Sequence, residues 1–399
     1  MIRPDETSVI KFVLSLPPTT NPYSATADYL ESVSRPCSTL PIWSRWLIRL
    51  VLLSYVLMFF QTARPLYIRI KTRKFDIIGF NTLNLIKIDT ANHLTAGYLL
   101  YSTLSIINLI WRDLSLSGYT SPIPSDFIDC TKSLVSLTLS WLFLWICISH
   151  SLLVRWKPLE EHPLEKARYM SPKSAWLLNG GFFVTILWPY VPVIFSSFRV
   201  VAEETKIVEV LKPVIIALRK SSHAYSPSDY NTLGLLSTLI PGREAFDHAD
   251  SLVVPFRIVI FCYLISASIL CIAYPPILLH TFKGMNQSGK TTASVRSQKG
   301  SVVIHSFLAF TSTLWNVPIL IWTLEFQSYS FIYDSLWWTM IILGIDGILA
   351  ITGNIIIFLT HSTAQSGSSS GSSSGSETCS DSSRAITFED QKTMSVSSS

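Results

Sequence analysis

Seven blocks of apolar sequence, each near 20 residues long and separated by polar connections, constrain this chain more than any other feature. A helix rises about 1.5 Å per residue, so roughly 20 residues cover about 30 Å of hydrocarbon. The blocks fall at about 42–63, 90–111, 133–154, 173–197, 252–274, 301–324 and 337–360. With only 14% charged residues and a mean hydropathy of +0.39, the 399 residues do not read as two or three soluble domains. The expected fold class is all-α, a polytopic membrane protein built as a bundle of about seven transmembrane helices with a disordered C-terminal tail.

The segments outside the blocks differ in character. Residues 1–41 are rich in Pro, Ser and Thr without a sustained period, which predicts a flexible extracellular or lumenal tail. Asp5, Glu6 and Lys11 spoil any secretory signal there, so the first span leads insertion. The stretch 75–88 is apolar enough to lie in the membrane interface. In the long fourth loop, Val201, Val208, Leu211, Ile215 and Leu218 recur at helical spacing, while Glu203, Lys206, Glu209 and Arg219 fall largely elsewhere on the wheel. This predicts an amphipathic segment over 199–240, bent at Pro213, with a second short helix ending near Pro241 and Gly242. Pro189 and Pro192 predict a kink in the fourth span. The Ser-Gly clusters of 361–399 cannot bury a core and predict a disordered cytoplasmic tail, in which Thr387 is a possible phosphorylation site.

Orientation follows from the basic residues. Arg64, Arg69, Lys71, Arg73 and Lys74 follow the first span, Arg155 and Lys157 the third, and Lys283, Lys290, Arg296 and Lys299 the fifth. The connections after spans two and six hold Arg112 and little else. Cationic side chains resist translocation, so the amino terminus is expected outside and the carboxyl terminus in the cytoplasm. The net charge of +5 is spread along the flanks of the apolar blocks, which points to the lipid bilayer as partner and not to nucleic acid.

Within the spans, Asp346 is the acid placed deepest. It lies nine residues past Trp337, roughly 14 Å along the helix. A carboxylate there is expensive unless it faces the bundle, so a role in ligand binding or proton handling is expected, with a neutral Asp346 bonded to Asn or Ser, or a structural polar contact, as the alternative. No Lys or Arg is expected at matching depth. Asn316 and Trp315 in span six complete the candidate ligand site. Gly344, Gly347, Ala350 and Gly353 should make this helix smooth on one side for close packing.

Other motifs argue mainly by exclusion. Gly284 to Thr291 spells the phosphate-loop string GxxxxGK[ST], but it lies between two membrane spans with no strand to deliver it, so no nucleotide is expected. His93, His150 and His305 fall near cytoplasmic span ends without metal-ligand pairing, so no metal and no cofactor are expected. Cys37 and Cys130 both face the outer side in this topology, which makes a disulfide between them possible. Span seven holds no lysine for a retinal Schiff base, and span three ends without the Asp/Glu-Arg-Tyr triplet of rhodopsin-like receptors.

The first functional expectation is a receptor-like sensor with a small-molecule or lipid ligand outside and a signalling partner in the cytoplasm. A transporter using the mid-membrane Asp346 is the alternative, and a lipid-modifying membrane enzyme with His150 or His305 as base is third. Asn286-Gln287-Ser288 is the only glycosylation sequon. Expressed in a glycosylating host, the chain is expected to show no endoglycosidase-sensitive mass shift; glycan at Asn286 would invert the topology.

Overall fold

The computed structural model describes residues 6–17, 19–34, 41–72, 79–115, 117, 125–158, 168–227, 231–287, 293–325 and 335–369. The chain is a helical bundle with a smaller helical cap at one end. The elements are α1 (Glu6–Leu14), α2 (Pro22–Ser34), α3 (Ile42–Lys71), the strands β1 (Gly79–Phe80) and β2 (Ile86–Lys87), and α4 (Thr95–Ser115), which a π-turn over Thr90–Leu94 introduces. They continue with α5 (Ser125–Arg155), β3 (Trp156–Pro158), β4 (Arg168–Met170), α6 (Pro172–Leu187), α7 (Tyr190–His223), α8 (Thr232–Leu239), α9 (Arg243–Gln287), α10 (Ala293–Glu325) and α11 (Ser335–Ser369). Among the described residues six helical stretches are long and apolar enough to cross a membrane. A shorter apolar stretch, Phe307–Trp322, lies within α10.

Helix α3 shows how sequence sets the packing. Ser44, Ile48, Val51, Tyr55, Met58, Thr62 and Leu66 are buried, a stripe with steps of three and four residues that keeps one face against the bundle. Trp46, Leu50, Leu53, Leu57 and Phe60 cover the opposite side and are exposed. In water such a surface would aggregate; in a bilayer it is the face that meets acyl chains. The same logic explains the modest hydropathy of α4. Its inward face carries Thr95, Ser102, Ser105, Asn108 and Arg112, so polarity is spent on neighbouring helices and not on lipid.

Both ends of the bundle are tied. At one end Arg49 donates to Asp113 Oδ2 at 3.2 Å, joining the start of α3 to the end of α4. At the other, Arg69 Nη1 donates to Asn92 Oδ1 at 2.7 Å. There the β1–β2 hairpin, turned through Asn84 at φ 58°, lays Leu83, Leu85 and Ile86 against Trp145, Ala175 and Phe182. Trp145 Nε1 donates to the Ile86 carbonyl at 2.9 Å. Asn179 on α6 accepts from Ile86 N at 3.1 Å and donates to the Asn84 carbonyl at 2.9 Å. The part of the interfacial stretch seen here is therefore a hairpin docked on α5 and α6.

Within the segment expected to be a flexible tail, the described residues fold into two helices. Helices α1 and α2 pack on the far half of α7, with α8 and the start of α9, around Val9, Val13, Leu30, Leu211, Val214 and Leu218. Asn21 Nδ2 donates to the Ser222 carbonyl at 3.0 Å, Phe12 stacks on Tyr29 at 4.3 Å, and Arg219 pairs with Glu31. The apolar face read as surface-seeking in 199–240 finds its partner here. Span four breaks at Trp188–Pro189, as its prolines predict, and α7 then runs unbroken through Pro213 into the cap. Helix α9 does likewise, 45 residues including all of span five, on the order of 67 Å.

Several boundaries move. α3 continues past Ala63 to Lys71, which carries Arg64 and Arg69 on a helix end. α11 extends past Thr360 to Ser369, so helix replaces the first part of the expected disordered tail. The phosphate-loop string begins inside α9, which ends at Gln287, while 288–292 lie outside the described residues, as do Cys37 and Thr387.

Glycines mark the close approaches. A side chain at Gly97 would collide with Leu139, and one at Gly353 would meet Met58 Cε at 2.5 Å and Tyr98 Cε1 at 3.2 Å. Gly344 and Gly347, read with Gly353 as one smooth face, have no such neighbour. Gly97→Val and Gly353→Val are each expected to cost about 1–3 kcal/mol through overpacking. Gly344→Ala should stay within about 0.5 kcal/mol. Thermal unfolding in detergent, followed by tryptophan fluorescence, checks the contrast.

Candidate functional site

Helix α5 begins at Ser125, eight residues before the apolar block that marks span three. Asp129 and Lys132 therefore sit inside the helix, three residues apart and on one face. Arg112 lies three residues before the end of α4. Asp346 stands in α11. Packing of α4, α5 and α11 brings these four side chains into one chain of alternating charge.

Arg112 Nη2 pairs with Asp129 Oδ2, Lys132 Nζ lies 2.7 Å from Asp129 Oδ1, and the same Nζ lies 2.8 Å from Asp346 Oδ2. Asn108, one turn before Arg112, donates to Asp129 Oδ1 at 2.6 Å. The side chains of Arg112, Lys132 and Asp346 are 5%, 4% and 1% exposed, so they are largely withdrawn from bulk water. Two cations and two carboxylates sum to zero, which is the condition for burying ions at tolerable cost. Tyr55 on α3 donates to the backbone carbonyl of Asp346 at 2.9 Å and lies 3.3 Å from the Tyr101 hydroxyl. This holds α11 at the level of the charge chain. Asp346 Oδ1 is buried and has no hydrogen-bond partner among the described residues.

A cavity of about 120 Å³ adjoins the chain. Asp129, Lys132 and Asp346 form its polar side, and its other walls are apolar, among them Phe256, Ile260 and Ile345. Tyr263, which also lines it, donates to the Cys130 carbonyl at 2.7 Å and fastens α9 to α5. The volume holds several water molecules or a small solute, well under the roughly 300–1,000 Å³ of drug-sized sites.

The residues read as a ligand site are not assembled together. Asp346 is in the chain, but Trp315 is 60% exposed on α10 and Asn316 donates back to the Ser312 carbonyl at 3.1 Å. Neither lines the cavity. The expectation that no cation shares the depth of Asp346 is corrected: Lys132 reaches it. The hydropathy block starts at Ser133, which left Lys132 in a loop, although the spacing of Asp129 with Lys132 and of Asn108 with Arg112 at adjoining span ends already pointed to a shared polar cluster. His93 Nδ1 lies 3.1 Å from the Asp89 carbonyl, and His305 is a residue whose side chain is outside the description. Among the described residues no three His, Cys, Asp or Glu side chains come together as a metal would require.

The fold and this buried charge chain define a multi-pass α-helical membrane protein. Compared with protein families, with curated proteins and with solved structures, the chain finds no match.

Lys132→Met and Asp346→Leu are each expected to destabilise the protein by about 3–5 kcal/mol, because each strands an opposite charge. The double variant leaves the Arg112–Asp129 pair balanced and should recover most of that loss. A double-mutant cycle on thermal unfolding in detergent measures it; additive losses would show that the two side chains do not interact.

Proposed function

We propose that this protein is a seven-span receptor-like sensor, with α10 counted as a crossing, the cap outside and the Ser-rich tail in the cytoplasm. The observation that supports this reading is the Lys132–Asp346 pair beside a cavity, linking α5 to α11. Lys132 is held by two carboxylates. A proton passed from Lys132 to Asp346 leaves both neutral and the remaining Arg112–Asp129 pair balanced. The two helices then separate without isolating a charge. A contact that can open in this way is what a switching element needs. The cap supplies the input side, since α7 and α9 run from it into the bundle without an intervening loop.

The positive flanks of spans one, three and five support the orientation. The packing of α1 and α2 on the segment between spans four and five fits the four crossings between them, which put both on one side of the membrane. One observation favours the alternative of a proton-coupled transporter: Asp346 lines the cavity with an unpartnered oxygen, as a proton-carrying carboxyl would.

Spin labels near Leu153 on α5 and Thr360 on α11 are expected to move apart by several ångströms in Lys132→Met/Asp346→Leu relative to the parent. Unchanged distances would sink the sensor reading. In proteoliposomes under a pH gradient a sensor leaves the gradient standing, whereas proton entry lost in Asp346→Asn would select the transporter. An epitope after Ser399 should be reachable by antibody only in permeabilised cells.

A further inference from the structure

The cap holds a cavity of about 450 Å³ between α1, α2, α7, α8 and α9, larger than the one beside the charge chain. Its single charged wall residue, Arg243, is exposed and already engaged, so nothing there selects a guest. The bundle cavity differs. Asp346 lines it at 1% exposure, and Oδ1 of that carboxylate has no hydrogen-bond partner among the described residues. Lys132, also in its wall, gives two of its three N–H bonds to Asp129 and Asp346. Ser133 adds a hydroxyl to the lining. The remaining walls come from α9, α10 and α11, where Phe256, Ile319, Leu320, Ile341 and Ile345 are each partly exposed. Next to them in sequence, Ile321 and Met340 are 43% and 38% exposed, so the apolar wall runs out to the helix surface that meets acyl chains.

We propose that the bundle cavity takes the hydroxyl end of a neutral membrane lipid, a sterol or a diacylglycerol, with the hydroxyl donating to Asp346 Oδ1 and the apolar body lying along the partly exposed walls of α9, α10 and α11. A buried carboxylate oxygen without a partner is costly, so the guest must bring a donor. The charges present exclude the other candidates. Arg112, Asp129, Lys132 and Asp346 already sum to zero, so a protonated amine would leave a net charge in the interior. A fatty acid would meet the carboxylates of Asp129 and Asp346. An alcohol adds no charge and both donates and accepts, so its oxygen can also take the N–H that Lys132 has left. Water would satisfy Oδ1 but leave the apolar remainder unfilled, and apolar cavities stay dry. Asp346 lies eleven residues past Ser335, the start of α11, about 16 Å along the helix. A phosphate headgroup reaches that depth only by losing its hydration. At about 120 Å³ the cavity holds the head of the guest and not its body. The lipid's role as the sensed signal rests on the sensor reading; its binding does not.

The test uses the full chain in phosphatidylcholine nanodiscs with two photoactivatable probes, a cholesterol analogue and a 1,2-diacylglycerol, each with its hydroxyl free, and the labelled peptides mapped by mass spectrometry. Label is expected within 256–263, 319–320 or 341–345, and the probe that labels more strongly names the lipid class. The unlabelled lipid should displace that label, and its methyl ether should do so about tenfold more weakly. Ile345→Trp, which fills the cavity without touching an ion, should remove the label while elution on size exclusion is unchanged. Lys132→Met/Asp346→Leu should keep the label and make alcohol and ether equal competitors. Label from neither probe in those segments, an ether that displaces as well as the alcohol in the parent, or a double variant that still tells them apart would overturn the proposal. Label at these segments without any lipid-dependent change in the distance between Leu153 and Thr360 would sink the sensor reading and leave the binding site standing.

Discussion

Charges taken out of water must find each other, and in this protein four of them do so across three helices. Arg112, Asp129, Lys132 and Asp346 alternate in sign along α4, α5 and α11. In a low-dielectric interior their mutual attraction offsets a desolvation cost of several kcal/mol per ion only because the count is even and the geometry tight. Apolar packing between membrane helices specifies little on its own, since lipid is as apolar as leucine. The ion chain adds what the leucines lack: a single register in which the end of α4, the start of α5 and the first third of α11 coincide. Tyr55 extends that register to α3 through the Asp346 carbonyl. The remaining contacts, including the glycine approach at Gly353, work within a frame those charges have set.

Much of this architecture was legible in the sequence because a bilayer is a strict solvent. Apolar blocks of the right length announced the spans, and the prolines at 189 and 192 announced the break in the fourth. Helix ends were less legible, for a physical reason. Hydropathy reports where lipid begins, whereas hydrogen bonding decides where a helix ends, and α3, α5, α7 and α9 all continue beyond their apolar blocks. Lys132 was misplaced for that reason, and with it the partner of Asp346. The cap was missed on other grounds. The amphipathic face of 199–240 was visible, but its complement lay 188 to 201 residues earlier, in a stretch so rich in Pro, Ser and Thr that its two short helices carry little signal of their own. Each half is unremarkable alone, and only their contact buries Val9, Leu30 and Leu218.

The cap also changes what the long helices are for. A span that ended at the membrane would leave the outer segments hinged on loops. Here α7 buries Val193, Ser197 and Val200 in the bundle and Leu211, Val214 and Leu218 in the cap on one continuous rod. The cap and bundle cavities therefore share structural members, and the shape of one constrains the shape of the other.

Asparagine 179 gives this arrangement an unequal pair of ends. Its amide presents the same donor and acceptor as a peptide unit, and by bonding Ile86 N and the Asn84 carbonyl it stands beside the hairpin as a surrogate strand of one residue. A turn of α6 about its own axis would break both bonds together, so the first half of the fourth span is keyed in place. A few residues on, Pro189 and Pro192 supply no N–H to the carbonyls of Thr185 and Trp188. The backbone there resists bending less than anywhere else along that span. Torque applied from the cap would be spent at this swivel, and α9, which Tyr263 and Tyr274 fasten to α5, would carry what is left across the membrane.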